Sequence, residues 1–225
     1  MMDIELHCTE AGSGDPLILL HGNGEDGTCF EHQITYFSRR FHVFAPDTRG
    51  HGQTPRGTTP FALDQFACDL ADFMDAKGLE AAHLLGFSDG ANIALLFTLA
   101  HPERAASLVL AGGNLFPEGL LDEVRREDAA AYEEAREANN MRAQELLRLM
   151  IDEPHIDPAS LAQLHMPTLV VAGTHDMIAE EHTRLIAKSI PGARLRFIEG
   201  SHFVVYEDPQ EFNRVVGEFY DSIDC

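Results

Sequence analysis

The segment of this chain best suited to chemistry is Gly86-Phe87-Ser88-Asp89-Gly90. An apolar run, residues 82–87, precedes the serine, and a nearly all-apolar stretch with helical character, residues 91–100, follows it. A G-x-S-x-G pentapeptide between strand and helix makes a tight turn in which a Cβ at either glycine would clash. The turn lifts the serine hydroxyl above the sheet, at a helix N-terminus. Backbone amides and the helix dipole there favour developing negative charge. Ser88 is therefore the candidate nucleophile, against the plainer reading of a serine N-cap.

A serine nucleophile needs a base to take its proton and an acid to orient that base. His202, in Gly200-Ser201-His202-Phe203, follows the last apolar run of the sequence, residues 194–198. That position sets it apart from the eleven other histidines among the twelve of the chain. Asp176, in Gly173-Thr174-His175-Asp176, follows the run at residues 168–172 and is the candidate acid. Its plainer role is a turn or cap aspartate. Asn114 stands at the other place where an acid could sit, but an amide cannot carry the charge. His175 is expected to point away and to be structural. His21-Gly22-Asn23-Gly24, after the apolar run 17–20, is suited to an oxyanion hole. Its donors would be the backbone N–H groups of Asn23 and Asp89. Each such donor contributes roughly 3–4 kcal/mol to a tetrahedral transition state. The plainer reading is a glycine-rich turn shaped for packing.

These residues need a frame that brings four loops together. Apolar runs at 4–9, 17–20, 41–45, 82–87, 107–111, 168–172 and 194–198 read as strands, the first as an alternating edge strand. Residues 12–16 read as a turn. Helical spacing covers 30–38, 63–76, 91–100, 122–139, 140–151, 179–190 and 210–223. Alternating strands and helices imply an α/β fold with a mostly parallel sheet covered on both faces. The core is expected at 1–113 and 165–225. The charged, alanine-rich stretch 114–164 breaks the rhythm and is too long for an ordinary connection. It reads as a helical cap or lid over the C-terminal end of the sheet, where such sheets bind ligands. A solvated helical hairpin is the alternative. Its acidic residues Glu133, Glu134 and Glu137 suit a solvated face better than a cation site.

With 225 residues and 44% hydrophobic content, the chain suits one α/β domain. No apolar run approaches the roughly 20 residues that span a bilayer. The first residues, from Met1 to Glu5, lack the basic and apolar regions of a signal peptide, so a cytoplasmic location is expected. Cys8, Cys29, Cys68 and Cys225 lack metal-ligand spacing and read as free thiols. A formal net charge of −21 argues against nucleic acid and anionic membrane surfaces as partners. It suits solubility and is compatible with a small substrate that is neutral or cationic. No metal or organic cofactor is expected, and the oligomeric state is left open. Phe30, Phe87, Leu115, Phe116, Met141, Met177 and Phe203 are candidates to line an apolar pocket, with most such residues belonging to a core.

The stretches His21–Gly24, Pro46-Asp47-Thr48-Arg49-Gly50-His51-Gly52, Gly86–Gly90, Gly173–Asp176 and Gly200–Phe203 resemble the α/β-hydrolase superfamily, in the same order and over essentially the whole chain. The resemblance implies the α/β-hydrolase fold, with about seven strands here, a small helical lid, and a triad in the chain order Ser, Asp, His. It implies a serine hydrolase acting on an ester through an acyl-enzyme. Amide, thioester, aminoacyl-ester and C–C bond hydrolysis stay open, as do a lyase, a cofactor-free oxygenase or a ligand-binding protein on the same fold. Ser88 argues against the haloalkane dehalogenases, whose nucleophile is Asp. Ser88-Asp89-Gly90 is similar to the carboxylesterase-type and the valacyclovirase-like (biphenyl hydrolase-like) enzymes. In the latter, the Asp is associated with the amino group of α-amino ester substrates. Asp89 either reads such an ammonium group or only favours the helix N-terminus through the dipole. Arg49-Gly50-His51-Gly52 reads as a structural turn beside the core.

Overall fold

Short apolar runs bounded by turn residues become strands because their side chains can be buried on both faces of a sheet. The computed structural model describes residues 3–223; Cys225 lies outside them. In chain order the elements are β1 (Cys8–Gly12), β2 (Pro16–Leu20), α1 (Glu31–Phe37), β3 (His42–Pro46), α2 (Leu63–Lys77), β4 (Ala82–Phe87), α3 (Asp89–Ala100) and β5 (Ala105–Ala111). There follow α4 (Asp122–Glu137), α5 (Met141–Asp152), β6 (Thr168–His175), α6 (Glu180–Ser189), β7 (Arg194–Ser201), α7 (Val204–Glu207) and α8 (Pro209–Ile223).

The seven strands form one sheet in the order β1-β3-β2-β4-β5-β6-β7. Only β1 runs antiparallel, against β3; the remaining pairings are parallel. From β2 the chain turns to β3 on one side and later returns to β4 on the other. The loops after β2 and β4 thus flank the place where the strand order reverses, the usual ligand crevice of an open parallel sheet. The period of two along each strand splits the apolar residues between two cores. Ile18, Leu20, Leu84, Leu108 and Leu110 pack with α2 and α3 on one face. Leu17, Leu19, Leu85, Val109 and Ala111 pack with residues of α1 and α8 on the other.

Several details differ from the sequence reading, among them β6 and β7, which run on to His175 and Ser201 where the apolar runs end at 172 and 198. β1 begins at Cys8, not at residue 4, and extends through Gly12. Its pairing starts at Cys8 opposite Pro46, whereas the Asp3 carboxylate upstream bonds Arg49 and Thr58 instead. Gly12 is a strand residue with φ +82, placed where a Cβ would sit 2.3 Å from the Phe41 carbonyl oxygen. The last difference is the single helical turn α7, which follows His202 directly.

Arg49 explains why its stretch resists exposure. Its side chain is 1% exposed and forks onto Asp69 through Nε and Nη2 at 2.7 and 2.6 Å. Nη1 reaches Asp3 at 2.6 Å and the Arg56 carbonyl at 3.2 Å. The guanidinium thereby ties the residues before β1, the turn after β3 and α2 into one unit. Removing one partner of a buried pair leaves an uncompensated charge, at a cost of about 3–5 kcal/mol. Asp69→Ala should lose stability of that order in urea unfolding, with the midpoint lowered; a midpoint unchanged from wild type would show that Asp3 alone suffices.

Candidate active site

Ser88 sits in a conformation that its neighbours impose. Its φ is +54 and its ψ −122, outside the regions a serine prefers. A Cβ at Gly86 would lie 2.2 Å from the Gly90 carbonyl oxygen, and one at Gly90 would lie 1.9 Å from the Leu20 carbonyl oxygen. The two glycines are needed because backbone passes against backbone there. The Ser88 N–H donates to the Ala111 carbonyl at 2.8 Å, which fixes the turn to β5. α3 starts at the next residue, so its unpaired amides face the serine.

The loop after β7 brings His202 to the same cavity. Its side chain is 4% exposed, and Nδ1 lies 2.6 Å from Asp176 Oδ1. Asp176, on the loop after β6, also accepts from the backbone N–H of Ile178 on Oδ1 at 3.0 Å and of Gly173 on Oδ2 at 3.2 Å. An Nδ1–H held by an acceptor leaves Nε2 unprotonated in the neutral ring. The imidazole lies over Gly112, where any Cβ would be 2.6 Å from its Cε1. Asn114 instead exchanges hydrogen bonds with Asn92, at 2.9 Å each, and donates to the Phe116 carbonyl. His175 points outward, with its side chain 75% exposed.

The loop after β2 is held by a layer of neutral histidines. His21 contacts the Gly22 carbonyl through Nδ1 at 2.8 Å and accepts from the Thr48 N–H on Nε2 at 2.9 Å. His51 contacts the Arg49 carbonyl through Nδ1 and accepts from the Gly24 N–H on Nε2 at 3.2 Å. Burial lowers both pKa values, that of His51 to about 3. Both rings therefore stay neutral at physiological pH, each keeping one nitrogen as acceptor. The Asn23 side chain donates to the Leu146 carbonyl on α5 at 2.9 Å. The sequence reading gave that side chain no part.

A cavity of about 220 Å³ is lined by Gly22, Asn23, Phe87, Ser88, Met177, His202 and Phe203, together with Glu25 and Met150. Phe87, Met177 and Phe203 thus lie at the pocket. Phe30 and Leu115 are fully buried in the two cores, and Phe116 packs edge-on against His182. Met141, at the start of α5, is 68% exposed. These four, expected at the pocket, are not among its lining residues, because an apolar side chain in the sequence does not say what it packs against. Glu25 and Met150 were not anticipated. Glu25 Oε2 accepts from the Gly22 N–H at 3.1 Å, and Oε1 from the Tyr206 hydroxyl at 3.0 Å. It bridges the loop after β2 to α7, and burial raises its pKa. The signal for Glu25 lay in its position four residues after His21.

A narrow recess continues from Ser88 past Asp89, Asn114, Leu120, Met150 and Glu153. Asp89 is 7% exposed, and its Oδ2 has no hydrogen-bond partner among the described residues. Burial pushes its carboxyl up to about 7, the Asn23 side chain opposes that rise, and the Glu153 charge adds to it. Glu153 accepts from the Leu63 N–H, and its own pKa is raised, chiefly by burial. Among the described residues, no group of three His, Cys, Asp or Glu side chains is placed to hold a metal ion, and no helix is long and apolar enough to cross a membrane.

Known proteins share this arrangement of elements. The chain is 28% identical to a putative carbamate hydrolase of Azorhizobium caulinodans, over 99% of this chain and 97% of that protein. It is 27% identical to the human serine hydrolase BPHL, over 96% of this chain and 83% of that one. The structure of a meta-cleavage product hydrolase from Pseudomonas fluorescens superposes with a TM-score of 0.79 at 25% identity, covering 98% of this chain and 95% of that one. A model of the α/β hydrolase fold matches residues 15–151, more than half of the sequence. With its seven-stranded sheet and its serine turn between β4 and α3, the chain belongs to the α/β-hydrolase fold family.

Proposed function

We propose that this protein is a serine hydrolase that cleaves a small ester through an acyl-enzyme, with Ser88, His202 and Asp176 as its triad. The observation that carries the reading is the buried 2.6 Å contact between His202 Nδ1 and Asp176 Oδ1 beside a cavity that Ser88 also lines. That contact commits Nδ1 as donor and leaves Nε2 as the base. Ser88 Oγ attacks the carbonyl carbon while Nε2 takes its proton. The tetrahedral oxyanion rests on the backbone N–H groups of Asn23 and Asp89. His202 then protonates the leaving alcohol, and water repeats the sequence on the acyl-enzyme. No metal or organic cofactor enters this cycle. The relatives named above are hydrolases, which supports the reaction class. Residues 114–164, with α4 and α5, act as the lid in this reading. Met150 and Glu153 bring that segment to the serine. Ser88→Ala should lower kcat by about 10⁶-fold on p-nitrophenyl acetate and abolish labelling by a fluorophosphonate. Near-normal turnover in that variant would refute the assignment.

A specific observation favours one substrate class within this reading. The buried, unpartnered Oδ2 of Asp89 lines the recess beside Ser88, with Glu153 adding a second carboxyl. The recess holds only about 10 Å³ in the free protein, so an α-ammonium reaches Asp89 where the flexible side chains of Met150 and Met177 yield; there it supplies a donor and offsets the cost of burying the charge. The sign of the pH effect follows. A carboxyl raised to about 7 is mostly protonated below that pH and ionised above it. The ratio of kcat/KM for an aminoacyl ester over its des-amino analogue should therefore rise as pH increases toward about 7, and fall again once the α-ammonium itself deprotonates, at about 7.7–8.0. Asp89→Asn should flatten that rise. Equal kcat/KM for the two esters across the range would leave Asp89 with the helix N-terminus alone.

A further inference from the structure

The proposal rests on the hydrolase reading and concerns what limits the substrate that Ser88 accepts. One side chain, Met150 on α5, lines three neighbouring cavities. It closes the 220 Å³ cavity that holds Ser88 and His202. It borders the recess that runs to Asp89 and Glu153. It also faces a further cavity of about 420 Å³, whose other walls include Pro117, Arg125, Asp128, Ile151 and His155. Among the described residues, no other is shared by all three.

The backbone that carries Met150 is fixed on both sides. Leu149 beside it is buried at 1% exposure in the core shared with α2 and α3. One turn earlier, the Leu146 carbonyl accepts from the Asn23 side chain of the loop after β2. α5 is thus held against the same loop that offers the Asn23 N–H to an oxyanion. The thioether of Met150 is then the flexible part of a fixed wall, unbranched and easily displaced. Beyond it lies space that a longer substrate could occupy.

We propose that Met150 is a specificity-determining residue, a partition that sets how long a chain the substrate can carry toward α5. Truncating it joins the cavity beside Ser88 to the 420 Å³ one; enlarging it fills the cavity beside Ser88. Each additional methylene buried is worth about a fourfold gain in kcat/KM until the chain meets a wall. The test uses two series of esters on the full chain, p-nitrophenyl esters graded from acetate to decanoate and acetates of graded alcohols. The wild type, Met150→Ala and Met150→Phe are compared, with fluorophosphonate labelling of Ser88 as the check that each variant is folded and active. In one of the two series, the preferred length should move two or three carbons longer in Met150→Ala and shorter in Met150→Phe. Ser88 labelling should persist in both. Unchanged length profiles in both series, with ester turnover intact, would overturn the partition and leave the hydrolase reading standing. A wild type that neither turns over any ester nor labels at Ser88 would overturn that reading, and the partition with it.

Discussion

The close passage of backbone at Gly86 and Gly90 is the constraint on which the rest of the site depends. A strand that ends at Phe87 and a helix that begins at Asp89 leave one residue to reverse the chain. Ser88 does so at φ +54, a conformation that costs a non-glycine residue energy and persists only where the surroundings enforce it. The enforcement comes from Leu20, whose carbonyl leaves no room for a side chain at Gly90. Because Leu20 ends β2, the same contact fixes the start of the loop that carries Asn23. The proposed nucleophile and one of the proposed oxyanion donors are therefore placed by one piece of packing between adjacent strands. The sheet order matters for the same reason, since β2 and β4 are neighbours only because the chain reverses direction across the sheet.

Around this contact the polar groups are organised so that few buried ones are left over. His21 and His51 are neutral rings used as paired donor and acceptor, and their burial keeps them so. The glycine-rich loop after β2 would otherwise be free to move, since glycine carries the largest conformational entropy. Each amide it donates, from Gly22 to Glu25 and from Gly24 to His51, removes part of that freedom. Arg49 does similar work one layer out, where Asp69 and Asp3 neutralise it.

The sequence showed most of the frame, for a physical reason. Strands buried on both faces are continuous apolar runs, and β4 begins and ends where its run does. Ser88, Asp176 and His202 could be put forward together because each follows such a run at the end where loops converge, and the structure sets Ser88 and His202 at one cavity with Asp176 against His202. β1 was misplaced because an edge strand has only one neighbour, so its pairing with β3 rather than its own alternation decides its limits. The pocket was less legible still. Helical spacing over residues 141–151 identifies an apolar face, yet it cannot say that Met150 reaches the serine while Met141 lies in solvent. That depends on how α5 docks, through Leu149 in the core and the Asn23 contact with Leu146. Long-range contacts of this kind leave no periodic trace.

The remaining tension is electrostatic. On the mechanism proposed here the site must stabilise an oxyanion, yet Glu25, Asp89 and Glu153 all line its cavities. Three ionised carboxylates would oppose that charge strongly in a partly desolvated pocket. Burial reduces the conflict, since it raises the pKa of each and so keeps more of them protonated. Glu25 is further engaged by the Gly22 amide and the Tyr206 hydroxyl, which spread its charge into two hydrogen bonds. Asp89 has no such outlet at Oδ2. A buried carboxyl one residue from the proposed nucleophile, eased only in part by the Asn23 side chain, is costly to maintain for helix capping alone, because an exposed side chain at that position could serve the dipole equally well. On the proposed reading, a cationic group that arrives with the substrate would remove the cost only when the site is occupied, and would convert a destabilising feature of the free protein into binding energy for one class of ester.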